Sequence, residues 1–236
     1  MRIGVLECGG PPEALRPRFG GYGAMVRRLL GPGRDAVVVD VPGGDLSAGA
    51  AGCEAFVVTG SAAGVYDDLP WIPELIGFLR QVRGRAKLVG LCFGHQAMAE
   101  AFGGAVVKSP KGWGVGLQRY DVLGRADWMD GAASVHVPAL HQDQVVACPP
   151  GARVTVANAF TPYAGLDYGD AVSFQFHPEF TAEFAMALIE ARRDRYGALA
   201  GPAIASYGQP DDCARVGEWI GRFLDAPGAP PDAGEG

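Results

Sequence analysis

Apolar positions along this chain follow one rhythm up to about residue 104 and another beyond it. In the first part, unbroken apolar runs alternate with stretches at helical spacing. "RIGVLEC" (2–8), "DAVVVDV" (35–41), "EAFVVTG" (54–60) and "AKLVGLC" (86–92) are continuous runs, as expected of strands buried on both faces. After the first run comes a Gly/Pro-rich loop, "GGPPEALRPRFGG". "YGAMVRRLL" then places Met25, Val26, Leu29 and Leu30 at helical spacing and is stopped by "GPG". "LPWIPELIGFLRQVRG" (69–84) predicts a second helix, and "GHQAMAEAF" (94–102) a third, closed by Gly103 and Gly104. Strands alternating with helices in this way predict a parallel sheet with right-handed crossovers.

From about 105 to 176 the segments are short and strand-like, with turn residues between them: "AVVKSP", "VGLQRYDVL", "ASVHVPAL", "QVVAC", "RVTVANAF", "YAGLDYG" and "AVSFQFHPEF". They predict an antiparallel or mixed extension of the sheet. "TAEFAMALIEARRDRYG" (181–197) predicts one strong helix, capped by Thr181, with Phe184, Leu188 and Ala191 on one stripe. "CARVGEWIGRFL" (213–224) predicts a last helix. The expectation is an α/β fold: a mostly parallel central sheet flanked by helices. It occupies one domain, 1–225, followed by a Pro/Gly-rich tail, 226–236, expected to be disordered.

Composition narrows the function classes. At 48% hydrophobic and 19% charged, the 236-residue chain reads as soluble and globular, with apolar runs far shorter than the ~20 residues of a membrane span. The start, "MRIGVLECGG", lacks the apolar core and cleavage site of a secretory signal, so a cytoplasmic location is expected. Net charge is −6 and no Lys/Arg block stands out, so a nucleic-acid partner is not expected, nor is a membrane partner. The five cysteines (8, 53, 92, 148 and 213) are odd in number and lack C-x-x-C spacing, which argues for reduced thiols over a disulfide framework or a zinc site. His95, His136 and His141 fit no zinc-type spacing and read first as structural histidines. No G-x-x-x-x-G-K-[ST] phosphate loop occurs, and no cofactor or metal is expected.

One short stretch carries chemistry. In "GLCFGHQ" (90–96), Cys92 ends a predicted strand and precedes a predicted helix, with Gly90 and Gly94 two residues to either side. A sharp strand-to-helix turn holds a nucleophile in a strained conformation above the sheet, and its neighbours at ±2 must be small because the chain folds back there. The amides at the helix start face the sulfur and favour its negative form. A thiol so placed needs a base. "FQFHPEF" (174–180) supplies His177 and, two residues on, Glu179. Pro178 biases His177 toward extended backbone, in which i and i+2 share a face, so the carboxylate can hold one imidazole nitrogen while the other faces the thiol.

These two motifs resemble the class I, triad-type glutamine amidotransferases, of the kind fused to or paired with GMP synthase. "TGSAAGVYDDLPWI" (59–72) and "HQDQV" (141–145) resemble free-standing members, and the likeness covers roughly residues 1–195. It implies the flavodoxin-like fold of that family. It also implies Cys92 as nucleophile, His177 as base and Glu179 as orienter, with a γ-glutamyl thioester hydrolysed to glutamate. By the same resemblance, the amides of Phe93 and Gly60 form the oxyanion hole, and Gln96, Gly112 and Trp113 line the substrate pocket. His141 and Asp143 lie in a stretch that sits over the site mouth in relatives.

Three functions remain open on the sequence. The first is a glutaminase that releases ammonia for an unidentified acceptor on a separate synthase subunit. The second is a γ-glutamyl peptidase or hydrolase using the same chemistry. The third is a non-catalytic binding or regulatory member of the fold.

Overall fold

The computed structural model describes residues 1–227. The tail expected to be disordered lies almost wholly outside them. The first strands form where predicted: β1 (Arg2–Glu7), β2 (Asp35–Asp40), β3 (Ala55–Val58) and β4 (Lys87–Leu91). After them come β5 (Ala105–Lys108), β6 (Gly114–Val122), β7 (Ser134–His141), β8 (Asp143–Ala147), β9 (Arg153–Ala157), β10 (Gly165–Asp167) and β11 (Ala171–Phe174). One nine-stranded sheet runs β2-β1-β3-β4-β11-β10-β9-β6-β7, and β5 and β8 form a separate antiparallel ribbon. The five strands from β2 to β11 pair in parallel, and the remaining pairings are antiparallel; the segment beyond residue 105 is thus a mixed extension, with β11 returning to the parallel half beside β4. The parallel half has the doubly wound strand order of flavodoxin-like sheets, which bind ligands beyond the carboxyl ends of the strands.

Helices cover both faces: α1 (Arg16–Phe19), α2 (Tyr22–Leu30), α3 (Leu46–Gly49), α4 (Trp71–Val82), α5 (Phe93–Ala101), α6 (Ala182–Ala191), α7 (Arg193–Tyr196), α8 (Ala200–Ser206) and α9 (Cys213–Asp225). Strand alternation sorts the core. Ile3, Val5, Val57 and Val89 face α2 and α9, where Val26, Trp219 and Phe223 pack. Leu6, Phe56, Val58 and Leu88 face α4 and α5, where Leu75, Leu79 and Met98 pack. Among the described residues no helix is long and apolar enough to cross a membrane.

Four expectations need correction. β2 is not a strand buried on both faces. It is an edge with β1 as its neighbour, and Val38 is 41% exposed. The helix expected over 181–197 breaks at Arg192 (φ −118°, ψ 25°). Thr181 does cap it, its side chain accepting the Phe184 N–H at 3.2 Å. The buried stripe, however, is Phe184, Ala185, Leu188 and Ile189, and Ala191 is exposed. With no apolar contact after Ile189 to hold the next turn against the core, the chain leaves the helix and re-enters it as α7, anchored by buried Tyr196. Finally, β11 ends at Phe174, two residues short of the 176 expected for the strand before His177.

Candidate active site

The corner at Cys92 has the strain its sequence implied. Cys92 lies between β4 and α5 with φ 51° and ψ −100°, the one non-glycine of positive φ among the described residues. Such a conformation costs about 1–3 kcal/mol and persists only where its surroundings impose it. Here the Cys92 N–H donates to Phe174 O on neighbouring β11 at 2.8 Å, and the Gly94 N–H donates to Thr59 O at 3.2 Å. Both flanking glycines are sterically required. A Cβ on Gly90 would lie 2.6 Å from Gly94 O, and one on Gly94 would lie 2.4 Å from Val58 O. Phe93 is the first residue of α5, so its N–H has no acceptor within the helix. Its side chain is buried against Trp71.

Parallel pairing brings the other candidates to the same place. β3, β4 and β11 are adjacent and point the same way, so the loops leaving them meet at one edge of the sheet. Gly60 follows β3, Cys92 follows β4 and His177 follows β11. A Cβ added to Gly60 would lie 2.9 Å from His177 Cε1 and 3.7 Å from Cys92 Cβ, so thiol and imidazole flank the same small space. His177 Nδ1 lies 2.8 Å from Glu179 Oε1, and both side chains are buried. The pair is not in extended strand, as the spacing argument supposed. The chain turns after β11, with the Phe180 N–H donating to His177 O at 3.3 Å, while the His177 N–H donates to Pro138 O at 2.9 Å. Phe180 then stacks flat on the imidazole, ring centroids 4.1 Å apart and planes 5° from parallel. Burial alone would push the His177 imidazole down. The charges of Cys92 and Glu179 and their hydrogen bonds to the ring outweigh it, and its pKa is raised above the ordinary histidine value.

Cys92 opens onto a cavity of about 250 Å³. Gln96, Trp113, His141 and Asp143 all line it. Gly112 does not. It sits in a turn at φ 82°, its N–H donating to Ser109 O. Burial holds both nearby histidines down, His95 to about 3 and His141 to about 4, so each is uncharged at neutral pH. His95 Nδ1 bonds Ser173 Oγ at 2.7 Å and His141 Nδ1 donates to Asp143 O at 3.2 Å.

The sequence reading passed over Gln175. Its Nε2 donates toward Cys92 Sγ at 3.7 Å, and its Oε1 accepts from Gln96 Nε2 at 3.2 Å. Gln96 Nε2 also donates to Asp143 O at 3.0 Å. The signal was available: Gln175 precedes His177 by two residues, as Glu179 follows it by two.

Comparison with known proteins shows the family. The family model "Glutamine amidotransferase class-I" matches residues 29–191, more than half of the sequence, and the chain belongs to that family. A glutamine amidotransferase-like protein of Schizosaccharomyces pombe is 28% identical over 212 residues, covering 81% of this chain and 84% of that one. Gamma-glutamyl peptidase 2 of Arabidopsis thaliana is 30% identical over 146 residues, 58% of each chain. The crystal structure of a glutamine amidotransferase from Thermotoga maritima superposes with a TM-score of 0.75 over 96% of this chain and 99% of that one; at 17% identity this likeness concerns the fold.

Proposed function

We propose that the chain hydrolyses a γ-glutamyl amide, of which the side-chain amide of glutamine is the smallest, through a thioester on Cys92. In this reading Cys92 Sγ attacks the amide carbonyl while His177 takes the thiol proton. The amides of Gly60 and Phe93 stabilise the tetrahedral oxyanion, a role whose loss typically lowers rate about 10²–10³-fold. The carbon–nitrogen bond breaks, the departing nitrogen takes the proton from His177, and a γ-glutamyl thioester remains. His177 then activates water, the carbon–sulfur bond breaks, and glutamate leaves. Glu179 keeps His177 in the tautomer and orientation the two proton transfers need. Gln96 and Trp113 border the bound substrate. With glutamine the product is ammonia, delivered to an acceptor on a separate synthase subunit docked at the carboxyl edge of the sheet.

The observation that supports this most directly is the meeting of Cys92, His177 and Glu179 beside a cavity, with the one strained non-glycine backbone of the described residues at the thiol. The test is glutamate release from glutamine and from γ-glutamyl dipeptides, wild type beside Cys92→Ala. Loss of both activities in a folded variant is expected, and activity that survives the substitution would refute the role of Cys92.

A further inference from the structure

The cavity beside Cys92 is charged in a way that glutamine does not match. Its lining includes three cations, Lys108, Arg192 and Arg195, and two carboxylates, Asp67 and Asp143, while His141 is uncharged. Apart from the thiol, the wall therefore carries a net charge of +1 at neutral pH, in a chain whose net charge is −6. The ion pairs among the described residues leave all three cations out. Free glutamine brings one ammonium and one carboxylate, and so no net charge.

The cations fall into two groups. Lys108 is in register with Asp143 across the β5–β8 ribbon. That juxtaposition suits the α-carbon end of a γ-glutamyl group, its ammonium toward the carboxylate and its carboxylate toward the ammonium of Lys108. Arg192 and Arg195 come from elsewhere, at the break between α6 and α7, and their frame is aromatic. Arg195 lies over the Trp113 ring at 4.7 Å from its centroid. Trp113 meets Tyr196 edge-on at 5.2 Å, and the Arg192 charge favours the ionised form of the Tyr196 hydroxyl, against the burial that raises its pKa. Two guanidinium groups braced in this way present planar forks suited to a carboxylate, with no acidic side chain paired to either.

We propose that Arg192 and Arg195 form a carboxylate subsite for the departing half of the substrate, so that the preferred substrate is a γ-glutamyl amide of an amino acid or short peptide. This rests on the thioester reading above. Such a substrate carries two carboxylates and one ammonium, a net charge of −1 opposite the wall's +1. The bonds made and broken at Cys92 are unchanged: the carbon–nitrogen bond breaks, and the departing amino group, now that of an amino acid, takes the proton from His177.

The test compares kcat/KM for γ-glutamylglycine, γ-glutamylglycinamide and glutamine at low salt. The glycinamide differs from the glycine compound only in lacking the terminal charge. The wild type is expected to prefer γ-glutamylglycine over the glycinamide by about 10- to 100-fold, the range for a charged hydrogen-bonded contact, and the preference should shrink as salt is added. In the variant carrying both R192Q and R195Q the ratio should fall toward one. A wild-type ratio near one overturns the subsite without recourse to any variant. So does a ratio that persists in the double variant, and so does hydrolysis of glutamine with neither dipeptide cleaved. Should the double variant not fold, R195Q alone is expected to lower the ratio, and an unaltered ratio there counts against the proposal. Failure of the parent reading looks different: no glutamate from any of the three compounds, or release that survives Cys92→Ala.

Discussion

Gly60→Ala puts the geometry of the site to its sharpest test. The added Cβ would stand 2.9 Å from His177 Cε1 and 3.7 Å from Cys92 Cβ. Carbon atoms in good contact lie about 3.5–4.0 Å apart, so the imidazole must withdraw by roughly 0.6–1 Å. It is poorly placed to do so, with Phe180 stacked on its face at 4.1 Å and Nδ1 tied to Glu179 at 2.8 Å. Misplacement of about 1 Å at a reacting group costs on the order of 10²-fold in rate, or about 2.7 kcal/mol in the barrier. Crowding a packed site destabilises by about 1–3 kcal/mol. The variant should therefore fold with a modestly lowered denaturant midpoint, while kcat/KM for glutamate release falls about 100-fold. Gly77→Ala is the companion measurement. This exposed glycine within α4 has nothing within 4 Å of an added Cβ, so alanine should stabilise by about 0.5–1 kcal/mol with activity retained. If Gly60→Ala keeps activity within a factor of about 3 of wild type, the small space between thiol and imidazole is not where the chemistry occurs.

Other substitutions probe the site's supports. Cys92→Gly should be about 1 kcal/mol more stable than Cys92→Ala in a denaturant titration, because glycine relieves the positive φ that alanine keeps; equal midpoints would show that the corner stores no strain. Gln175→Leu strands one N–H of buried Gln96 and removes a donor from Cys92 Sγ, and should lower stability by about 1–3 kcal/mol; an unmoved midpoint would mean these bonds contribute nothing. His95 and His141 stay uncharged in the folded protein down to about pH 3 and 4, whereas unfolded histidines take up protons near 6.5. The unfolded chain therefore binds more protons below pH 6.5. Each histidine should lower stability as pH falls from there, by up to about 1.4 kcal/mol per pH unit, levelling off below its folded value. Midpoints measured from pH 7 to 4.5 should show this loss reduced in His141→Gln, and an unchanged slope would refute it.

Local pattern determined much of this protein. Unbroken apolar runs marked β1, β3 and β4, which β-pairing buries, and the change of rhythm near residue 105 marked the start of the mixed part of the sheet, from which only β11 returns to pair in parallel. The corner at Cys92 was legible in its motif: Gly90 answers a demand four residues away, from Gly94 O, while the demand on Gly94 comes from Val58 O on β3 and needs the folded sheet. The edge position of β2 was not legible, since the same "VVV" suits a central or an outer strand until the order of strands is known. Neither was the break at Arg192, which follows from where the α6 stripe runs out of core to touch. Only the folded chain sets β3, β4 and β11 side by side, and that adjacency brings Gly60, Cys92 and His177 to one edge and leaves two arginines from a broken helix facing the same cavity. Contacts between segments so far apart in sequence depend on strand order and packing, which no local run of residues encodes.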